Sequence, residues 1–330
     1  MTDTQHLLSL AGTPADRMRA LLSRADAIAS GRAVAPVLSG RTVATLFFED
    51  STRTRTSFTL AANRLGATVA DLSGSGTSAS KGETLADTAR TVEAMGVDAF
   101  IVRTGQSGGP GVIARAVRGA VINAGDGRRE HPTQGLLDTL AVARAHGRTD
   151  TFDLSGLTVV IAGDTAHSRV TRSDVAALTA LGAEVVLCGP PAMAPTGLGR
   201  ALGCTVERDF DAAIARADAV QMLRIQFERG ARVASPRQYR AGYALTPERA
   251  RTMKPGAIVM HPGPMNRGIE IDQAVADSDG ADGLPRSVIL EQVRLGVAVR
   301  IAVLEAALAG PPPAASGGRA RASRVEVGAV

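Results

Sequence analysis

The sequence predicts an α/β protein of two units, each a mainly parallel sheet flanked by helices. Short apolar runs, such as residues 43–48 and 157–162, alternate with stretches whose apolar residues recur at helical spacing. Strands and helices in alternation read as βαβ units. A length of 330 residues suits about two domains at roughly 150 residues each. The polar stretch 147–155 divides the chain near its middle.

Residues 1 to 40 read as a leader and one helix, with Met18, Leu21, Leu22, Ala25 and Ile28 on one stripe and Gly31 ending it. The strand 43–48 stops at Glu49 and Asp50. A helix follows, with Phe58, Leu60, Ala61 and Leu65 on its apolar side and Ser51-Thr52 in the N-cap position. Helix N-termini offer unpaired N–H groups and partial positive charge. Arg53 and Arg55 add forked donors, so this turn reads as a phosphate seat without the glycines of a Walker loop. The plain alternative is a capped helix with solvated arginines.

Residues 67–71 form a second strand. The Gly/Ser-rich stretch 73–83 contains Lys81 and reads either as a linker or as a loop reaching toward a ligand, since the helix 84–95 follows directly. The strand 97–103 ends on Arg103, and ligands of open α/β sheets collect at such carboxyl ends. Helix 111–118, strand 120–123 and a glycine turn lead to His131 and Gln134 at the start of helix 135–145. There one side chain can offer N–H to an oxygen while the other accepts from an amide.

The second unit opens with strand 157–162, a helix to Leu181 and strand 184–188, like half of a Rossmann fold. Gly163-Asp164-Thr165-Ala166-His167-Ser168 lacks G-x-G-x-x-G, so dinucleotide binding is not expected; Arg169 stands there instead, available to an anion. Helix 211–217 and strand 219–223 precede Arg224 and Gln226. Thr246 caps a helix with Pro247 in its first turn. Strand 258–260 runs into His261-Pro262-Gly263-Pro264, a stiff turn whose carbonyls can take an amide N–H2. A long apolar helix, 288–308, ends the folded chain, and the Pro/Ala/Gly/Arg-rich tail 310–330 is expected to be disordered.

Composition narrows the function. Apolar residues make up 45% and aromatics 3%, with no Trp, so Ala, Val and Leu must fill the cores. The formal charge of +5 comes without a basic, aromatic-interleaved block, so nucleic acid is not an expected partner. Cys188 and Cys204 lack metal-ligand spacing, and no metal or other cofactor is expected. With no signal peptide or membrane-length apolar segment, a soluble cytoplasmic protein is expected. Cationic groups and neutral donors dominate the strand ends. That set suits a transferase binding two anionic substrates and stabilising negative charge better than hydrolysis by an activated nucleophile.

Six segments then add a resemblance: Ser51-Thr52-Arg53-Thr54-Arg55, Lys81-Gly82-Glu83-Thr84-Leu85-Ala86-Asp87-Thr88, His131-Pro132-Thr133-Gln134, His167-Ser168-Arg169-Val170, Arg224-Ile225-Gln226-Phe227-Glu228-Arg229 and His261-Pro262-Gly263-Pro264. In that order they resemble the aspartate carbamoyltransferase catalytic-chain family, over about residues 5–308. Asn266-Arg267-Gly268 looks like the bacterial type that works without a dedicated regulatory chain.

The resemblance implies transfer of a carbamoyl group from carbamoyl phosphate to L-aspartate in de novo pyrimidine biosynthesis. It implies two Rossmann-like domains, 1–147 for carbamoyl phosphate and 148–287 for aspartate, with helix 288–308 returning to the first. Carried over residue by residue, Ser51, Thr52, Arg53 and Thr54 hold the phosphate, and Thr54, Arg103 and His131 polarise the carbonyl. Gln134, Gly263 and Pro264 grip the carbamoyl N–H2; Arg169, Arg224 and Gln226 meet aspartate. Lys81, with Thr77 or Ser78, reaches in from a neighbouring subunit, which implies a homotrimer with shared sites and admits a dodecamer with dihydroorotase.

Three positions depart from the family pattern: Asp50, Thr104 and Gly135, the last expected to cost ~1 kcal/mol of helix propensity. Ornithine carbamoyltransferase is the nearest rival, set aside because position 262 is Pro and the lysine loop is present. A catalytically silent homologue would be expected to lose Arg53, Arg103 or His131, and all three are there.

Overall fold

The computed structural model describes residues 6–72, 83–225 and 235–308. Lys81, Thr77, Ser78, Gln226 and the tail 310–330 lie outside the described residues. Within them the chain forms two parallel sheets. The first contains β1 (Thr42–Phe47), β2 (Thr68–Asp71), β3 (Ala99–Thr104) and β4 (Ala120–Asp126), in the order β2-β1-β3-β4. Around it lie α1 (Ala15–Ala29), α2 (Thr52–Arg64), α3 (Leu85–Ala94), α4 (Gly109–Ala116) and α5 (Pro132–Ala145).

The second sheet contains β5 (Thr158–Ala162), β6 (Glu184–Cys188), β7 (Thr205–Glu207), β8 (Ala219–Met222), β9 (Ile258–Met260) and β10 (Arg286–Ser287). Its order is β10-β9-β8-β5-β6-β7, parallel throughout. Its helices are α6 (Arg169–Ala180), α7 (Thr196–Leu202), α8 (Phe210–Ala215), α9 (Pro236–Tyr243), α10 (Pro247–Ala250) and α11 (Gln273–Ala276). β5 is buried along its whole length and β1 from its second residue on, as parallel strands covered on both faces must be. The expected two-sheet α/β architecture is therefore the observed one.

The last helix, α12 (Ile289–Leu308), packs against α1, α2 and α5 of the first unit. Leu295, Val299, Ile301 and Leu304 are buried there, each contributing about 1.5–3 kcal/mol of transfer free energy. Arg24 of α1 forks onto Glu305 with two 2.7 Å bonds, fastening the end of α12. Among the described residues, no helix is long and apolar enough to cross a membrane.

α5 is the hinge-post of the molecule. It is buried from Pro132 to Ala143 on every side, packed against α12 of its own unit and α6 of the other. Such all-round burial explains why its apolar pattern shows little helical periodicity.

Several boundaries differ from expectation. β4 continues past Asn123 to Asp126, because Asn123 uses its own side chain inside the fold. Its amide donates to Leu8 O, and its oxygen accepts from Gly125 N at 2.8 Å. α5 begins at Pro132, so Gly135 lies in its first turn. As expected, Thr246 caps α10, accepting from Arg249 N. Short or glycine-containing α7, β7, α9, α11 and β10 left no readable period.

Gly135 also has a reason that helix propensity does not supply. A Cβ there would stand 2.8 Å from the Ser173 carbonyl carbon, oxygen and Cβ, where α5 meets α6. Gly135→Ala is therefore expected to lose stability, up to about 2 kcal/mol net, because overpacking at ~1–3 kcal/mol outweighs a propensity gain of ~1. Thermal denaturation checks this; a raised Tm would show that α6 moves aside freely.

Candidate active site

The loops at the carboxyl ends of β1, β3, β4, β5, β8 and β9 carry polar groups. Those loops line one cavity of about 550 Å³. The first unit contributes Ser51, Thr52, Arg53, Thr54, Arg103, His131 and Gln134; the second contributes Arg169, Arg224, Gly263 and Pro264. All the site residues expected from sequence that fall among the described residues are thus brought together. Lys81 and Gln226 fall outside them.

The turn after β1 works as its sequence suggests, with one difference. Ser51 is the N-cap of α2, with extended φ −161° and ψ 108°, but its side chain makes no capping bond. The helix N–H groups of that turn are therefore not closed off by Ser51 and remain available to an anion. Thr54, buried in the first turn, stands 3.4 Å from His131 Nε2.

Charge converges on this space. Arg53 has its pKa lowered by partial burial and then by the charge of Arg224, so the two guanidiniums feel each other across the cavity. Arg224 Nε also donates to Asn266 Oδ1 at 3.4 Å. Glu49, at the end of β1, joins Arg103 Nε at 3.2 Å and Arg169 Nη2 at 2.5 Å. Arg169 Nη1 is buried without a hydrogen-bond partner among the described residues.

His131 is the N-cap of α5, and its backbone N–H is fixed by Ser173 Oγ of α6 at 2.9 Å. Burial, and then the charges of Arg300, Arg103 and Arg169, hold its pKa well below the usual imidazole value. It is a neutral ring near neutral pH, with one N–H to donate and little appetite for a second proton. Its Nδ1 is buried without a partner among the described residues.

The 261–264 turn is held from below. Gly263 N donates to His261 Nδ1 at 2.8 Å, which places the His261 proton on Nε2, facing Glu270 Oε1 at 3.3 Å. Burial lowers the His261 pKa against that carboxylate, so this ring too is neutral. Gly263, at φ +64° before a cis bond to Pro264, comes so close to Arg53 that a Cβ would lie 3.1 Å from the guanidinium carbon.

Sequence reasoning missed Glu49, Gln292 and Arg300, which also line the cavity. Glu49 was visible as the first acid after an apolar strand. Arg300 had a signal as well, as an isolated charge inside the apolar run of α12, where it is buried; Gln292, buried too, lies beside Glu291 and had none. Arg300 lies 5.0 Å above the Phe58 ring, and burial lowers its pKa to about 10. Of the three departures from the family pattern, Asp50 is exposed at the cavity rim, and Thr104 bonds to Gln106 O without lining the cavity.

Comparison with known proteins agrees with this geometry. Residues 5–144 match the aspartate/ornithine carbamoyltransferase carbamoyl-P binding domain, and residues 155–307 match the Asp/Orn binding domain of the same family. An aspartate carbamoyltransferase catalytic subunit of Myxococcus xanthus is 52% identical, covering 91% of this chain and 98% of the relative. One from Gluconacetobacter diazotrophicus is 50% identical, covering 91% and 92%. Aspartate transcarbamoylase from Trypanosoma cruzi, solved with carbamoyl phosphate and aspartate, superposes with a TM-score of 0.78 at 30% identity, over 91% of this chain and 96% of that one. Ornithine carbamoyltransferase from Pyrococcus furiosus superposes at 0.79 with 26% identity, over 92% and 96%. With both halves matched, and relatives at half identity along nearly their whole length, the chain belongs to the aspartate/ornithine carbamoyltransferase family.

Proposed function

We propose that this cavity transfers the carbamoyl group of carbamoyl phosphate to the amine of L-aspartate, giving N-carbamoyl-L-aspartate and phosphate in pyrimidine biosynthesis. The observation that carries the reading is the convergence of five arginines, a helix N-terminus and a neutral buried imidazole on one cleft. The catalytic subunits at 52% and 50% identity favour aspartate as acceptor over ornithine.

The roles are those that the family resemblance implies, and the charges and donors lining the cavity support them. Ser51 to Thr54 and the N-terminus of α2 hold the phosphate, with Arg53 against the oxygens that leave. Thr54, Arg103 and His131 donate to the carbonyl oxygen as it becomes negative, and donors fixed in advance act most strongly in such a site. Because His131 is a weak base, it donates and does not collect the amine proton; the departing phosphate takes it. Gln134 and the carbonyls of Gly263 and Pro264 accept from the carbamoyl N–H2. Arg169 and Arg224 bind the two carboxylates of aspartate, with Gln226 beside them.

On this reading residues 1–147 are the carbamoyl phosphate domain and 148–287 the aspartate domain. Lys81, with Thr77 or Ser78, enters from a neighbouring subunit of a cytoplasmic homotrimer; a dodecamer with dihydroorotase is a further assembly of the same parts. Carbamoyl transfer is assayed with L-aspartate and L-ornithine in parallel. Aspartate-dependent product is expected, and product with ornithine alone would overturn the placement of Arg169 and Arg224.

A further inference from the structure

Behind the cavity wall lies a buried polar cluster that the proposed roles do not use. Asp138 of α5 is 1% exposed and accepts from three side-chain amides. Gln134 Nε2 and Gln292 Nε2 donate to its Oδ1 at 2.9 and 2.7 Å, and Gln221 Nε2 donates to its Oδ2 at 2.9 Å. These amides come from α5, α12 and β8, so one carboxylate ties both units together.

An ionised carboxylate only accepts, and an amide has one donating and one accepting end. With its N–H2 held by Asp138, Gln134 can present only its carbonyl oxygen to the cavity that it lines. Gln292 is turned the same way, so its oxygen accepts the backbone N–H of His261 at 3.0 Å. His261 opens the turn that carries the Gly263 and Pro264 carbonyls. Both proposed grips on the carbamoyl N–H2 thus trace back to one group.

A buried anion needs compensation. Arg300 supplies a facing charge. Asp174 of α6 feels the charge of Asp138, and Gln221 Nε2 donates to Asp174 Oδ2 at 3.5 Å. Burial, and then the charge of Asp138, raise Asp174 well above the ordinary carboxyl range, whereas the rise that burial gives Asp138 is opposed by its three amide donors, so Asp174 is the partner that keeps a proton.

We infer that Asp138 is a positioning residue that sets the direction of the Gln134 and Gln292 amides, and thereby lets the site recognise the N–H2 of its acyl phosphate. The inference rests on the carbamoyl-transfer reading. Asp138→Leu keeps roughly the size of the side chain but removes both acceptor oxygens, so neither Gln134 nor Gln292 has its N–H2 held inward; Asp138→Asn would not suffice, because one oxygen at the Oδ1 position still holds both.

The test compares carbamoyl phosphate with acetyl phosphate, which has a methyl group in place of the amide nitrogen. Dissociation constants for both are measured by calorimetry on the full chain. The wild type is expected to prefer carbamoyl phosphate, and Asp138→Leu to lose about tenfold of that preference while acetyl phosphate binds within about twofold of wild type. General loosening of the site would weaken both ligands alike and would overturn the inference, as would an unchanged preference. Should Asp138→Leu not fold, Gln292→Leu tests the other branch: the same selective loss is expected, and its absence counts against the inference. A wild-type protein without any preference and without carbamoyl transfer overturns the functional reading and this inference together.

Discussion

Arg53→Ala is expected to lower kcat for carbamoyl transfer by about 10²–10³-fold, the usual consequence of removing a fixed donor from developing negative charge. Arg53 is the residue on which three features of the site meet. It lies in the first turn of α2, where the Ser51 side chain makes no capping bond. Its guanidinium rests against the Gly263 backbone, within 3.1 Å of where a Cβ would stand. Its charge also opposes that of Arg224, a repulsion that a bound dianion relieves. Arg53→Lys keeps the charge but not the planar fork, so it should recover only part of the loss. Steady-state kinetics on variants whose Tm matches wild type provide the check. Activity within about threefold of wild type for Arg53→Ala would remove it from the phosphate seat.

Gly125→Val should come second in size. Gly125 sits near the end of β4 at φ +135°, a conformation that costs a side-chain-bearing residue about 1–3 kcal/mol. A Cβ there would also lie 3.1 Å from both Arg103 Nη1 and Arg169 Nη1. One small backbone segment therefore sets how near two guanidiniums can come, one from each unit. Displacing them by about 1 Å is expected to cost about 10²-fold in kcat/KM for aspartate, well beyond the share lost to unfolding. A loss that merely tracks the folded fraction, read by circular dichroism, would show that the arginines re-seat around the valine.

The strand ends were legible because parallel sheets impose them. A short apolar run must be buried on both faces, and the chain leaves it at a carboxyl end where polar residues can gather. Phe47 leading into Ser51-Thr52-Arg53, and Met260 leading into His261-Pro262-Gly263, show the rule in this chain. Gly135 was misjudged because propensity is a local quantity, whereas its close contact with Ser173 involves a helix from the other half. The strand expected to stop at Asn123 runs on to Asp126, and the two carbonyls Asn123 serves, Leu8 O and Glu130 O, come from elsewhere in the fold.

What the sequence determined by itself was the order of the longer strands and helices, the helix start at Ser51-Thr52 and the candidate cations. Those depend on periodicity, capping and side-chain chemistry along short stretches. Tertiary structure alone decided which cations share one space, that His131 is neutral, and that Glu49 stands between Arg103 and Arg169. It also decided that Asp138 holds three distant amides. The physical reason is that field strength and desolvation depend on distances across the fold, between groups separated by scores of residues along the chain.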